Sequence, residues 1–151
     1  LETVALRYFN VFGPYQDPDS PYSAVIPLFI KAFDERRKPV INGNGEQSRD
    51  FTYIANVVHA NLLASNAPEA PGRMLNIACG DSITVNRLSS EIARLTGRED
   101  IIPLHGPERP GDVKHSRADI SLAENLLGYG PVVTFEEGLE RTVSFVLGNK
   151  K

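Results

Sequence analysis

The sequence has one cysteine, Cys79, so it can form no internal disulfide and no thiolate metal cage. It has no apolar run approaching the roughly 18 residues that a bilayer-spanning helix needs, so no transmembrane segment is expected. It also lacks an excess of positive charge: 16 Lys and Arg against 19 Asp and Glu leave a formal charge of −3. Nucleic acids and anionic membrane surfaces are held by basic faces, so neither is expected as a partner. No basic-then-apolar leader opens the chain. Leu1 runs straight into an apolar stretch, as if a longer protein had been cut there. What is present suits a folded core. Of 151 residues, 41% are hydrophobic and 23% charged, enough for one ordinary domain or the larger part of a split one.

Strand and helix signals alternate, which predicts an α/β class. Residues 1–9 read as a strand covered on both faces, because Val4, Ala5, Leu6, Tyr8 and Phe9 are nearly continuous. Gly13-Pro14 stops it, and 17–21 is loop chemistry. A helix is expected from about Ser23 to Ile26 onward, with Pro27 tolerated in its first turn. Residues 39–41 read as a short strand, Asn42-Gly-Asn-Gly45 as a tight turn, and 47–53 as extended. The next helix should bury Ile54, Val57, Val58, Leu62 and Ser65. Residues 74–79 read as a second buried strand after a 68–72 connector. Thr84 and Gly97 should cap a helix with Val85, Leu88, Ile92 and Leu95 inward. Residues 101–104 read as an edge strand. Ser121 and Thr134 open capping-box helices, the first stopped by Gly128 and the second burying Phe135, Leu139, Val143 and Val146.

Three polar clusters sit at loop ends beside these strands. Asn10 closes the first strand, where ligands of open α/β sheets gather, although an Asn there is more commonly a turn former. Arg49 follows the Gly-rich turn and could fork a phosphate, or pair with neighbouring Asp50 on the surface. Arg109 and Asp112 bracket a Pro-Gly turn that does not by itself need the arginine. Other chemistries fail. Gly43-x-Gly45 lacks the third glycine of a dinucleotide fingerprint. His59, His105 and His115 lack metal-ligand spacing, and His59 reads as a packing or surface residue. There is no Gly-x-Ser-x-Gly elbow, and no tyrosine has a lysine four residues on.

Taken together, Leu6-Arg-Tyr-Phe-Asn-Val-Phe-Gly-Pro14, Gly43-Asn-Gly-Glu-Gln-Ser-Arg-Asp-Phe-Thr-Tyr-Ile54 and Arg109-Pro-Gly-Asp112 resemble the extended short-chain dehydrogenase/reductase family. Within it they are most similar to NAD-dependent nucleotide-sugar epimerases and dehydratases, especially UDP-N-acetylglucosamine 4-epimerases. The resemblance runs from Val4 to about Leu147. It implies the carboxy-terminal part of a Rossmann-type sheet plus the small substrate-binding α/β domain. Residues 1–151 would be that substrate-binding portion, with the strands at 1–9 and 74–79 belonging to the dinucleotide sheet. The amino-terminal NAD-binding half, with its Gly-rich turn and Tyr-x-x-x-Lys base, is absent. Asn56 stands where the family more often has Asp, a local and minor difference on this reading.

Carried over by position, the resemblance implies roles for individual residues. Tyr8 and Phe9 lie along the nicotinamide of NAD. Asn10 holds the diphosphate and sugar, Ala24 and Val25 meet the uracil, and Asn42 touches that base. Arg49 and Arg109 bind the diphosphate, Asp112 binds the ribose, and Ser116 leaves room for an N-acetyl group. No catalytic residue is expected in this chain. The implied function is C4 epimerisation of a UDP-hexose, N-acetylated or a uronic acid. The alternatives are a dehydratase, decarboxylase or reductase of the same family, or a non-catalytic truncated module that binds a nucleotide sugar. The implied parent is a cytoplasmic homodimer with a UDP-sugar substrate. The chain alone is expected to be inactive.

Overall fold

A computed structural model of the chain describes residues 1–19 and 24–148. It is mixed α/β, with short strands between five helices. In order these are β1 (Ala5–Tyr8), β2 (Val11–Phe12), α1 (Val25–Asp34), β3 (Val40–Asn42), β4 (Ser48–Arg49), β5 (Thr52–Tyr53), α2 (Ile54–Asn66), β6 (Met74–Ile77), β7 (Ile83–Thr84), α3 (Val85–Thr96), β8 (Leu104–Gly106), α4 (Ser121–Leu127) and α5 (Phe135–Gly148). The strands pair two by two. β1 with β6, β2 with β5 and β3 with β8 are parallel, and β4 with β7 is antiparallel.

Two apolar clusters organise these pairs. In one, α1, α3 and α5 close over Phe12, Ile26, Ile30, Phe33, Ile41, Leu88, Ile92 and Leu139. Phe12 is its aromatic hub, edge-on to Phe51, Tyr53 and Phe135 at 6.4, 5.6 and 5.9 Å, a geometry that suits ring quadrupoles. In the other, Leu75 and Ile77 of β6 lie under Ala60 and Ala64 of α2 and Ala123 and Leu127 of α4. Burying each such Leu, Ile or Phe contributes roughly 1.5–3 kcal/mol.

Helix boundaries follow the punctuation in the sequence. Thr84 Oγ1 accepts the Arg87 N–H at 3.1 Å, and Gly97 ends α3 at φ 63°. Thr134 Oγ1 accepts the Glu137 N–H at 3.2 Å, and Gly128 ends α4. Val25 opens α1 after Ala24, with Pro27 in the first turn. Ser23 and part of the 17–21 loop lie outside the described residues.

Several expectations need correction. The inner face of α2 is Asn56, Val57, Ala60 and Ala64, whereas Ile54, Val58 and Leu62 are exposed, Leu62 by 62%. The small residues face inward because α2 sits close against β6 and α4. β1 is shorter than 1–9 and is not covered on both faces; Ala5, Arg7 and Tyr8 are exposed. β6 ends at Ile77, with Met74 exposed. The stretch 47–53 breaks into two strands around Asp50–Phe51. The edge strand sits at Leu104–Gly106, just past Pro103, where backbone N–H groups are free to pair with β3. Ser121 does not cap α4; Asp119 Oδ1 accepts the Ser121 N–H at 2.9 Å.

Candidate functional site

The site is built around a fixed arginine. The Gly-rich turn that leads into β4 needs its glycines. Gly45 has φ 76°, and a Cβ there would lie 1.9 Å from Asn86 Oδ1. The Asn86 amide in turn donates to Asn44 O at 2.9 Å, which fixes the turn against α3. From β4, Arg49 Nη1 donates to Ser48 O at 2.8 Å and to Val113 O at 2.5 Å, while Nη2 pairs with the Asp112 carboxylate. Only 18% of the Arg49 side chain is exposed. The Asp112 N–H closes a turn onto Arg109 O at 3.2 Å, with Gly111 at φ 78°. Residues some sixty positions apart thus share one ion pair, which joins the second and third polar clusters of the sequence.

The surface pairing of Arg49 with Asp50 is not what forms. Asp50 is fully buried, and its oxygens accept the N–H groups of Cys79 at 3.0 Å, Gly80 at 3.0 Å and Ala118 at 3.2 Å. Burial, with the nearby Asp81 charge, raises its pKa above the ordinary aspartate value despite the three donors, which act to lower it. Asp50 thereby ties the end of β6 and the 113–118 segment to the strand that carries Arg49. Its carbonyl accepts Asn10 Nδ2 at 3.0 Å, which brings Asn10 into the same framework. Asn10 also turns the chain between β1 and β2, at φ 35°. Sequence reasoning missed Asp50 because nothing local marks an aspartate as buried.

A cleft of about 200 Å³ opens beside the ion pair, lined by Asn42, Gln47, Arg109, Asp112 and Lys114 among others. An adjoining groove of about 460 Å³ shares Asn42 and Arg109 and adds Val25 and Lys38. Larger hollows exist, about 630 Å³ by Gly80 and Arg117 and about 500 Å³ by Ser89 and Ile102. The smaller cleft pairs two basic side chains, Arg109 and Lys114, with the carboxylates of Asp112 and Glu108, whereas each larger hollow has at most one basic side chain. Ser116 is tied alongside, its N–H donating to Ser48 O at 3.1 Å. Ala24 precedes Val25 at the start of α1. Tyr8 and Phe9 continue into Asn10 at the end of β1, but the Tyr8 hydroxyl bonds to Asn61 of α2. Lys114 and Gln47 were not singled out from sequence. Their only signal was proximity to Asp112 and Arg49 in the chain.

The three histidines serve the framework. His115 Nδ1 bonds Ser48 Oγ at 3.0 Å, His105 Nδ1 bonds Gly43 O at 2.8 Å, and the ring of His59 lies 6.4 Å from that of Tyr129. Among the described residues no group of three His, Cys, Asp or Glu side chains could hold a metal, and no helix is long and apolar enough to cross a membrane.

Residues 1–78 match the model of the NAD dependent epimerase/dehydratase family, just over half of the chain. The chain belongs to this family. It is 34% identical over 136 residues to the UDP-glucose 4-epimerase of Mycolicibacterium smegmatis, covering 90% of the chain and 42% of that protein. Its structure matches the UDP-N-acetylglucosamine 4-epimerase of Methanobrevibacter ruminantium, in complex with UDP-N-acetylmuramic acid, with TM-score 0.90 and 46% identity. That match covers 98% of this chain and 47% of the other. A UDP-glucuronic acid 4-epimerase of Bacillus cereus, in complex with UDP-glucuronic acid and NAD, matches with TM-score 0.86 and 32% identity. That match covers 96% of this chain and 45% of the other. The chain therefore spans a little under half the length of the relatives it matches, and it corresponds to their carboxy-terminal portion. The expected α/β architecture of an epimerase's carboxy-terminal part holds.

Proposed function

We propose that this chain holds the UDP part of a UDP-hexose for NAD-dependent epimerisation at C4, with N-acetylated hexoses or their uronic acids as substrates. The observation that carries the reading is one cleft that brings together Arg109, Asp112 and Asn42, adjoins Val25, and lies beside Arg49 through its ion pair with Asp112. A pyrophosphate carries roughly two negative charges, and guanidinium forks bind it by charge-assisted hydrogen bonds worth on the order of 1.5–3 kcal/mol each. On this reading Arg49 and Arg109 grip the diphosphate and Asp112 accepts a ribose hydroxyl. Ala24, Val25 and Asn42 meet the uracil, Asn10 steadies the diphosphate-sugar end, and Ser116 leaves space beside the sugar.

The division of labour has a physical reason. An epimerase must let the hexose turn over between two hydride transfers, so affinity has to come from the part that stays still. NAD, when bound, supplies the acceptor and later the donor of that hydride. For NAD this chain offers the exposed ring of Tyr8 and the adjacent Phe9, at the carboxyl end of a parallel strand pair, which fits one edge of a dinucleotide site. The remainder of that site, and the tyrosine that takes the C4 hydroxyl proton, belong to residues outside these 151. The chain alone is accordingly expected to bind UDP without turning over a UDP-sugar. The parent is proposed to act as a cytoplasmic homodimer.

Calorimetric titration of the purified protein with UDP tests the reading. Binding that weakens at least tenfold in Arg109→Ala, about 1.4 kcal/mol, is expected. UDP that fails to bind the wild-type protein refutes the reading. The sugar preference has its own test in the longer protein. Ser116→Tyr should cut turnover of N-acetylated substrates more than of plain hexoses, and an unchanged ratio would remove Ser116 from the pocket.

A further inference from the structure

We infer that Asp112 is a positioning residue for Arg49: it holds the guanidinium ready for the phosphates through one carboxylate oxygen and leaves the other for the ribose. This rests on the UDP-binding reading above and goes beyond it. A ribose contact alone would not require Asp112 to touch an arginine. In the structure, Asp112 Oδ1 is committed to Arg49 Nη2, and Oδ2 has no protein partner among the described residues. Arg49 is held from the other side too, because Nη1 donates to both Ser48 O and Val113 O. Of its five N–H groups, three are thus spent on protein, leaving Nε–H and one Nη2–H uncommitted. The side chain is mostly buried in that pose.

An unrestrained arginine loses rotamer freedom when it binds an anion. One already immobilised meets that cost during folding, and its remaining donors present a fixed edge to the ligand. Val113 follows Asp112 directly, so the turn closed by Arg109 and Asp112 delivers both a carboxylate and a carbonyl to the same guanidinium. The same turn carries Arg109 into the cleft. Asp112 therefore couples the positions of the two arginines as well as fixing one of them.

Simple electrostatics makes the opposite prediction, which gives the test its edge. Removing a carboxylate from beside an anion site should tighten anion binding if the carboxylate only repels. The experiment measures UDP by calorimetry, and inorganic pyrophosphate as a competitor of UDP, on the purified wild-type, Asp112→Asn, Arg49→Ala and double-variant proteins, with folding checked by circular dichroism. Pyrophosphate has no ribose, so its affinity isolates the effect on the phosphate site. The expected result is several-fold weaker pyrophosphate binding in Asp112→Asn. The same substitution should have no further effect once Arg49 is alanine, the coupling signature that a general loss of structure would not produce. Pyrophosphate that competes equally well or better in Asp112→Asn overturns the inference, as does pyrophosphate that fails to compete in the wild type. Failure of UDP to bind the wild type would instead strike the underlying reading of the site.

Discussion

At the scale of single residues, the decisive polar groups are those the fold hides. Asn56 is an example, because its side chain is spent on the backbone of another segment. It is fully buried in α2. Its Oδ1 accepts the N–H groups of Val132 and Val133 at 2.9 Å each, and its Nδ2 donates to Val133 O at 2.8 Å. It thereby pins the segment that leads into α5. Removing the side chain leaves three backbone groups unpaired, of which the two on Val133 are buried, at about 1–3 kcal/mol for each buried one. Asn56→Ala should lower stability by at least about 2 kcal/mol in chemical denaturation, and a loss within error would show that water takes over those bonds. Cys79 lies near Asp50, and burial together with that negative charge pushes its thiol up to about 11. Because the thiolate is the reactive form, Cys79 in the folded protein should alkylate roughly a hundredfold more slowly at pH 8 than an unperturbed cysteine. A rate equal to that of free cysteine would contradict the burial.

At the scale of elements, α2 shows where a sequence pattern misleads. Its large apolar residues Ile54, Val58 and Leu62 recur at four-residue spacing and look like a core stripe, yet they face outward. The inward face is Ala60 and Ala64, fully or nearly buried under β6 and α4. A close helix-to-strand approach leaves room for methyl groups and little else, so small residues were the true signal. The stability cost of substitution should therefore invert the usual order. Leu62→Ser should change the unfolding midpoint by less than Ala60→Leu does, since overpacking a closed interface costs about 1–3 kcal/mol. A larger loss from Leu62→Ser would place that side chain in the core after all. The caps were legible by contrast. Thr84, Gly97, Gly128 and Thr134 act as their residue types require, because capping depends on neighbours three or four positions away. Ser121 misled because Asp119, two residues earlier, takes both its N–H and its hydroxyl, while the Glu124 N–H it would have capped goes to Ile120 O.

At the scale of the whole molecule, Asp50 joins the two clusters. It leaves a segment flanked by Phe51 and Tyr53 of the first, and it accepts N–H groups from Cys79 and Ala118, beside the second. Its raised pKa sets the sign of a pH effect. The folded state binds the Asp50 proton more tightly than the unfolded chain, so this group's contribution is fully present below the ordinary value of 3.8. It is lost as the pH rises through the higher folded value. Asp50→Asn cannot titrate. The stability gap between wild type and variant, measured by denaturant unfolding, should shift in favour of the wild type as the pH falls through the acid range. A shift in favour of Asp50→Asn on acidification would mean that the buried carboxylate is favoured in its charged form.

The sequence by itself determined what local chemistry controls: the alternation of strand and helix, four of the helix caps, the Gly-rich turn and the polar loops that hold the site. Its motifs also carried the family, because residues at fixed spacing along one strand or turn stay together when folded. Only the tertiary structure decided which charges meet. Arg49 chose Asp112 over its neighbour Asp50, because the 109–114 turn delivers a carboxylate and a carbonyl to the guanidinium while Asp50 turns inward to backbone N–H groups. Pairing between distant segments depends on how the chain closes, and no window along the sequence contains both partners.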